Sequence, residues 1–79
     1  MSEIKIDEAL WASSIFPEGM VVRWLVPDGS RVVAGHAIAE VRIEDALHEI
    51  AAPTDGLVTI VARENSVVDP GSLLATLSD

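Results

Sequence analysis

The stretch that decides the fold is Arg42-Ile43-Glu44-Asp45-Ala46-Leu47-His48-Glu49-Ile50. Residues 37–41 before its centre and residues 47–50 after it alternate in part between apolar and polar. Such alternation is typical of β-strands with one buried face. Glu44 and Asp45 lie between the two alternating segments, where a short polar turn is expected. We therefore predict a β-hairpin whose tip covers residues 43–46.

Turn signals recur on both sides of this hairpin. Pro27-Asp28-Gly29-Ser30 precedes it and Pro53-Thr54-Asp55-Gly56 follows it. Proline fixes φ near the value that a turn requires, and glycine supplies a positive φ. Seven or eight short strands are expected between such turns, within 4–6, 20–26, 31–35, 36–41, 47–52, 57–62, 67–71 and 73–77, where 31–35 and 67–71 each include a turn. Short strands at this spacing predict an all-β barrel or sandwich.

Residues 7–17 lack this alternation. Residues 9–12 are compatible with one helical turn, but Ser13, Ser14 and Pro17 favour a loop. Trp11 lies within this segment, and we expect it to cover the core.

The two halves of the chain resemble each other. Val32-x-x-Gly35 matches Val68-x-x-Gly71 at an offset of 36 positions. The same offset places Gly29 on Asn65, and asparagine is the non-glycine residue most tolerant of positive φ. This internal repeat predicts two strand-turn-strand units, about 19–41 and 56–77, related by a pseudo-twofold axis within one domain, 1–79.

Composition excludes several classes of function. The 79 residues include no cysteine, which rules out disulfides, thiol catalysis and thiolate metal sites. Thirteen acidic residues against five basic ones give a net charge of −8, so neither nucleic acid nor an anionic membrane is an expected partner. No signal peptide or membrane-spanning stretch is evident, and we expect a cytoplasmic protein.

Several motifs, in this order and spacing, resemble the biotinyl/lipoyl carrier domain family. They are Glu18-Gly19-Met20-Val21-Val22-Arg23-Trp24-Leu25-Val26, Asp28-Gly29-Ser30-x-Val32-x-x-Gly35, Ala39-Glu40-Val41, Glu49-Ile50-x-Ala52-Pro53 with Gly56, and Val68-x-x-Gly71. The Trp-Leu-Val and Glu-Val pieces look more like lipoyl than biotinyl domains. The resemblance implies a flattened barrel of two four-stranded antiparallel sheets, in agreement with the strand pattern.

The resemblance also implies where a cofactor would be attached. Family members carry lipoate or biotin on a lysine at the hairpin tip, in the sequence Asp-Lys-Ala of lipoyl domains. Here the corresponding residues are Glu44-Asp45-Ala46, so Asp45 occupies the lysine position. A carboxylate cannot form the amide that joins either cofactor to the domain, and the chain has only one lysine, Lys5. We therefore expect no cofactor.

Other chemistry has weak support in the sequence. His48 lies beside the tip and, with Asp45 or Glu49, could form a weak metal site, but a solvent-facing strand histidine is the preferred interpretation. The sequence contains no nucleophile elbow, phosphate loop or dinucleotide fingerprint. We expect no metal, no catalytic residue and no enzymatic activity in this chain.

The remaining feature of the sequence is a group of acidic residues near the tip. Lipoyl domains are recognised partly through acidic surface near the tip, and the possible recognition residues here are Glu40, Glu44, Asp45, Ala46 and Glu49. The first hypothesis is a non-catalytic binding or regulatory companion of a 2-oxo-acid or acetoin dehydrogenase-type complex. The alternative is a swinging-arm carrier domain of an acyltransferase component in which Asp45 has replaced the lysine. A module belonging to a larger chain is a third possibility, although the Met1 start favours a self-standing protein.

Overall fold

The structure is a computed structural model that describes residues 2–11 and 18–78. It contains eight β-strands and one short helical turn of the 3-10 type, Glu8–Trp11. The strands are β1 Ser2–Lys5, β2 Gly19–Trp24, β3 Arg31–Val32, β4 Ala37–Ile43, β5 Ala46–Ala51, β6 Gly56–Ile60, β7 Val67–Val68 and β8 Leu73–Ser78. Within the described ranges, no helix is long and apolar enough to cross a membrane.

The strands form two four-stranded sheets. One sheet has the order β1-β8-β6-β3 and the other β5-β4-β2-β7, and every pairing is antiparallel. The predicted all-β fold of two four-stranded antiparallel sheets is thus confirmed. The molecule is elongated, with principal extents of 37 × 20 × 16 Å.

Hydrogen bonds repeat across the two halves. Gly29 N donates to Val58 O at 2.7 Å, and Asn65 N donates to Val21 O at the same distance. In return, Val58 N donates to Ser30 O, as Val21 N donates to Ser66 O. These pairs are related by the sequence repeat, so each turn of one half is bonded to a strand of the other. The pseudo-twofold arrangement therefore ties the halves together.

The core lies between the two sheets and is almost wholly aliphatic. Side chains of both sheets contribute to it, and the largest that are fully buried are Ile6, Ile38, Leu74, Leu77, Val21, Val32, Val41 and Val58. Burial of such a side chain stabilises the fold by about 1.5–3 kcal/mol. A chain this short depends on this efficient packing, since small domains bury a smaller fraction of their surface.

Residues 7–17 differ in part from the predicted loop. A 3-10 helical turn forms because the Asp7 carboxylate accepts a hydrogen bond from Ala9 N at 2.9 Å, and Asp7 O accepts one from Leu10 N. Trp11 is 7% exposed, so the predicted core-covering role is confirmed. The rest of the predicted loop, 12–17, lies outside the described residues.

Candidate functional site

The hairpin formed by β4 and β5 has a two-residue turn. Ile43 is paired with Ala46, and Glu44 and Asp45 form the turn between them. Glu44 has a φ of 55°, which is uncommon for a residue with a side chain. Both turn residues are exposed. The hairpin therefore presents two adjacent carboxylates to solvent at its apex.

The base of the tip is packed closely. Ile43 of β4 is paired with Gly19 of β2, and Gly19 is paired on its other side with Val68 of β7. A Cβ atom built on Gly19 would lie 3.2 Å from each of three atoms: Arg42 O, Ile43 Cγ1 and Trp11 Cζ2. The indole of Trp11 thus lies beneath the hairpin, so the tip is held by the core.

The structure brings four of the five predicted recognition residues to exposed positions on the hairpin. Glu44 and Asp45 occupy the turn, Ala46 begins β5, and Glu49 lies three residues further along this strand. Three exposed carboxylates are thus carried by one short segment. This arrangement suits contact with a basic surface, because opposite charges steer two proteins together.

The fifth predicted residue, Glu40, is not part of this exposed group. Its residue exposure is 9%, and its carboxylate accepts a hydrogen bond from Arg23 Nε at 2.5 Å. The register places Glu40 between Arg23 and Glu49 on the outer face of the sheet. Arg23 therefore offsets the repulsion between two like charges that lie directly opposite each other.

His48 is not the solvent-facing residue that the sequence suggested. It is paired with Val41, whose side chain is buried, and directly opposed residues lie on the same face of a sheet. The imidazole is consequently on the core-facing side and half-buried. Across residues 2–11 and 18–78, no group of three or more metal-ligating side chains lies together.

Lys5 is placed away from the tip. It lies in β1, where it is paired with Leu73, and β1 belongs to the sheet that does not contain the hairpin. Its ammonium lies 3.5 Å from a Glu3 carboxylate oxygen, and both side chains are largely exposed. The single amine side chain of the sequence therefore cannot stand in for a lysine at position 45.

Sequence reasoning missed two exposed apolar side chains near the tip. Leu47 is 55% exposed and Val67 is 66% exposed. Alternation alone had suggested that both were ordinary strand residues. The position of Val67 depends on the pairing of β7 with β2, which joins residues distant in sequence, whereas Leu47 is paired with Arg42 within the hairpin.

An open depression lies on the seam between the two repeats. Trp24, Arg63 and Glu64 contribute to its lining. The indole Nε1 of Trp24 donates to Ala62 O at 2.8 Å, and Glu64 accepts a hydrogen bond from Trp24 N. Trp24 is paired with Ala39, four residues from the end of β4, so the depression is roughly 13 Å from the tip.

Comparisons with known proteins agree with this architecture. Residues 12–77 match the Biotin_lipoyl family, whose description is biotin-requiring enzyme. The solution structure of the lipoyl domain of the 2-oxoglutarate dehydrogenase complex from Azotobacter vinelandii superposes with a TM-score of 0.75. It is 25% identical, and the superposition covers 100% of this chain and 98% of that domain.

Two curated relatives represent both branches of the family. Acetyl-CoA carboxylase of Dictyostelium discoideum is 39% identical over 59 residues, which is 75% of this chain and 3% of the carboxylase. The dihydrolipoyllysine-residue acetyltransferase component of the pyruvate dehydrogenase complex of Rickettsia felis is 38% identical over 69 residues, which is 85% of this chain and 17% of that component. A two-sheet barrel with an exposed hairpin tip thus defines a carrier-type domain. The chain belongs to the biotinyl/lipoyl domain family.

Proposed function

We propose that this domain works by docking to a protein partner, without carrying a lipoyl or biotinyl group. The partner we propose is a component of a 2-oxo-acid or acetoin dehydrogenase-type complex, met in the cytoplasm. One observation carries this proposal: Asp45 occupies the apex position at which the family has its lysine. The attachment hairpin is kept, whereas the amine that would be acylated is absent.

The exposed carboxylates supply the docking chemistry. Glu44, Asp45 and Glu49 are exposed residues of one hairpin, whereas the Arg23 guanidinium is bonded to Glu40. Charges of this kind raise association rates with a basic partner surface and lose strength as salt is added, because the Debye length falls to about 8 Å at physiological ionic strength. A domain of this shape would compete with a lysine-bearing lipoyl domain for the same partner.

Binding to purified complex components tests the proposal. The measurement is the Kd for the decarboxylating component and for dihydrolipoyl dehydrogenase, at low and high salt. We expect one of them to bind, with an affinity that falls with salt and falls several-fold for Asp45→Asn. Glu3→Gln is the matched control, because it removes one negative charge from the other sheet and should leave the Kd unchanged. Equal losses for both variants would refute a docking role for the tip.

The alternative is a carrier domain whose lysine was replaced, and the retained alanine at position 46 favours it. In this case Asp45→Lys should restore a substrate for a lipoyl ligase. The readout is the intact mass of the variant after incubation with ligase, ATP and lipoate. An unmodified mass for a folded Asp45→Lys domain would count against a recent carrier origin. An added lipoyl mass on the natural chain would contradict the docking proposal itself.

A further inference from the structure

Two exposed apolar side chains beside the tip, Leu47 and Val67, stand at the ends of one row of paired residues. Leu47 is paired with Arg42, Arg42 with Met20, and Met20 with Val67, so the row crosses all four strands of one sheet. Directly opposed residues lie on the same face, and neighbouring strands are about 4.8 Å apart, which gives the row a length of about 14 Å. We call these four residues the shoulder.

The shoulder lies on the outer face of its sheet, away from the core. The neighbouring set of pairs, Ile43 with Gly19 and Gly19 with Val68, contains the buried residues of the inner face. Sides alternate along a strand, so the shoulder must point outward. Its two ends, Leu47 and Val67, are both more than half exposed.

The outer face of the other sheet differs. There, the outward rows that cross three strands are Glu3, Thr76 and Thr59, and Arg31, Leu57 and Ser78. Leu57 is 37% exposed, whereas Val33 and Val61, which directly follow β3 and β6, are 56% and 51% exposed and lie outside these rows. The shoulder therefore differs from these rows in having an exposed apolar residue at each end, beside the acidic tip.

We infer that the shoulder is the apolar half of a docking surface whose other half is the acidic tip. Its occupant is a partner protein that carries an apolar patch bordered by basic side chains on the side that meets Glu44 and Asp45. This inference rests on the proposed docking function and specifies the partner's chemistry. Only one residue, Ala46, separates Asp45 from Leu47, so a single partner surface of ordinary size covers both halves.

Charge decides between a partner protein and a second copy of this chain. A net charge of −8 on 79 residues makes two copies repel each other, and both would bring acidic tips to the contact. A partner with a basic rim gains from the same carboxylates. The aliphatic stem of Arg42 adds apolar contact within the shoulder while its guanidinium stays in water.

The first test separates the two halves of the surface by mutation. Threonine favours strands, so Leu47→Thr and Val67→Thr retain the strand preference at both positions. Each substitution shortens or removes the apolar contact made there. Leu57→Thr is the matched control on the opposite face. Against a purified partner, we expect each shoulder variant to weaken binding several-fold, and the double variant about tenfold or more, with an unchanged dependence on salt. An equal loss for Leu57→Thr would overturn the inference.

The second test identifies the occupant by photo-crosslinking in the native host, with p-benzoylphenylalanine at position 45, 47, 67 or 57. We expect one protein to be captured at 47 and 67 and not at 57, and its purified form must then give the mutational pattern above. If that protein is not a dehydrogenase component, the shoulder stands and the proposed function fails. If a dehydrogenase component is captured at 45 alone, the proposed function stands and the shoulder inference fails. Crosslinks between two copies, or none at 47 and 67, also overturn the inference.

Discussion

Two non-glycine residues within the described ranges have positive φ, and they have different roles. Glu44 is at the apex of the hairpin, and Asn65 occupies the turn that corresponds to Gly29 in the other half. Gly29 and Asn65 have φ values of 85° and 71°, and each donates its backbone N–H to the opposite half at 2.7 Å. Asparagine therefore meets the same backbone requirement as glycine in the second turn, as the repeat predicted.

Substitutions at these matched positions separate backbone strain from steric crowding. Asn65→Ala and Gly29→Ala should each lower the free energy of unfolding by about 1 kcal/mol, since alanine tolerates positive φ poorly. Asn65→Gly should change it by only a few tenths of a kcal/mol. Urea denaturation gives the values. A Cβ atom on Gly29 meets no atom within 4 Å, so a large loss there would arise from φ alone. Equal stability of the Asn65→Ala and Asn65→Gly variants would contradict this explanation.

The two tryptophans form a second contrast. Trp24 Nε1 donates to Ala62 O, whereas the buried Nε1 of Trp11 has no hydrogen-bond partner among residues 2–11 and 18–78. An unpaired buried donor costs about 1–3 kcal/mol. Trp11→Phe removes that donor and leaves a small void, so these two effects should nearly cancel in the free energy of unfolding. Trp24→Phe loses a hydrogen bond and should cost about 1 kcal/mol. Thermal and urea unfolding of both variants test the difference, and a greater loss for Trp11→Phe would refute it.

At the scale of elements, the turns were predictable and the pairing of strands was not. Pro27-Asp28-Gly29 and Pro53-Thr54-Asp55-Gly56 identify turns from local chemistry. The strand predicted over 20–26 is observed as Gly19–Trp24, because the chain bends at Leu25. At this bend, Leu25 N donates to Ile38 O. A register shift between Val21 and Arg23 then decides which residue opposes Glu40. Such bulges depend on the partner strand, so one strand's own sequence does not reveal them.

The same limit explains which parts of the candidate site were predicted. The hairpin and the place of Asp45 follow from local sequence and spacing. The ion pair of Glu40 with Arg23 joins residues 17 positions apart, so Glu40 looked like one more surface acid. The exposure of Val67 depends equally on long-range pairing, whereas Leu47 is paired within the local hairpin. Tertiary context therefore decided which charged and apolar residues remain available to a partner.

A double-mutant cycle measures the Arg23–Glu40 pair. Arg23→Ala, Glu40→Gln and the double variant should give a coupling free energy of about 0.5–1 kcal/mol that falls with added salt, because the Arg23 side chain is 60% exposed. The Glu3–Lys5 pair is the control: its atoms lie 3.5 Å apart with both side chains 57% exposed, and its coupling should be near zero. Equal coupling free energies for the two pairs would show that the burial of Glu40 does not strengthen its ion pair with Arg23.

At the scale of the whole molecule, the repeat creates two equivalent glycines with different surroundings. Gly19 is paired with Val68, and Gly56 is paired with Val32, so each glycine opposes the corresponding valine of the other half. Both glycines are buried. Beneath Gly19 lie Trp11 and the hairpin, whereas Gly56 faces the backbone of Ser78. The pseudo-symmetry of the backbone thus coexists with two different ends, because only one copy continues into the tip.

Alanine substitution at the two glycines should expose this difference. A Cβ atom on Gly56 would lie 2.8 Å from Ser78 O, so β8 must shift, and we expect Gly56→Ala to lower the free energy of unfolding by about 2–3 kcal/mol. At Gly19 the closest atoms are at 3.2 Å and include the side chains of Trp11 and Ile43, which can move, so Gly19→Ala should cost about 1 kcal/mol. Urea denaturation with constant m-values gives both free energies of unfolding.

Hydrogen exchange at the tip should also distinguish the two variants. Gly19→Ala should speed exchange at the amides of Glu44 and Asp45, because Gly19 is paired with Ile43 at the base of the tip. Gly56→Ala, compared at an equal fraction folded, should not change exchange at these amides. Equal exchange rates at the tip amides in both variants would show that the packing of Gly19 and Trp11 at the base of the hairpin does not stabilise the tip.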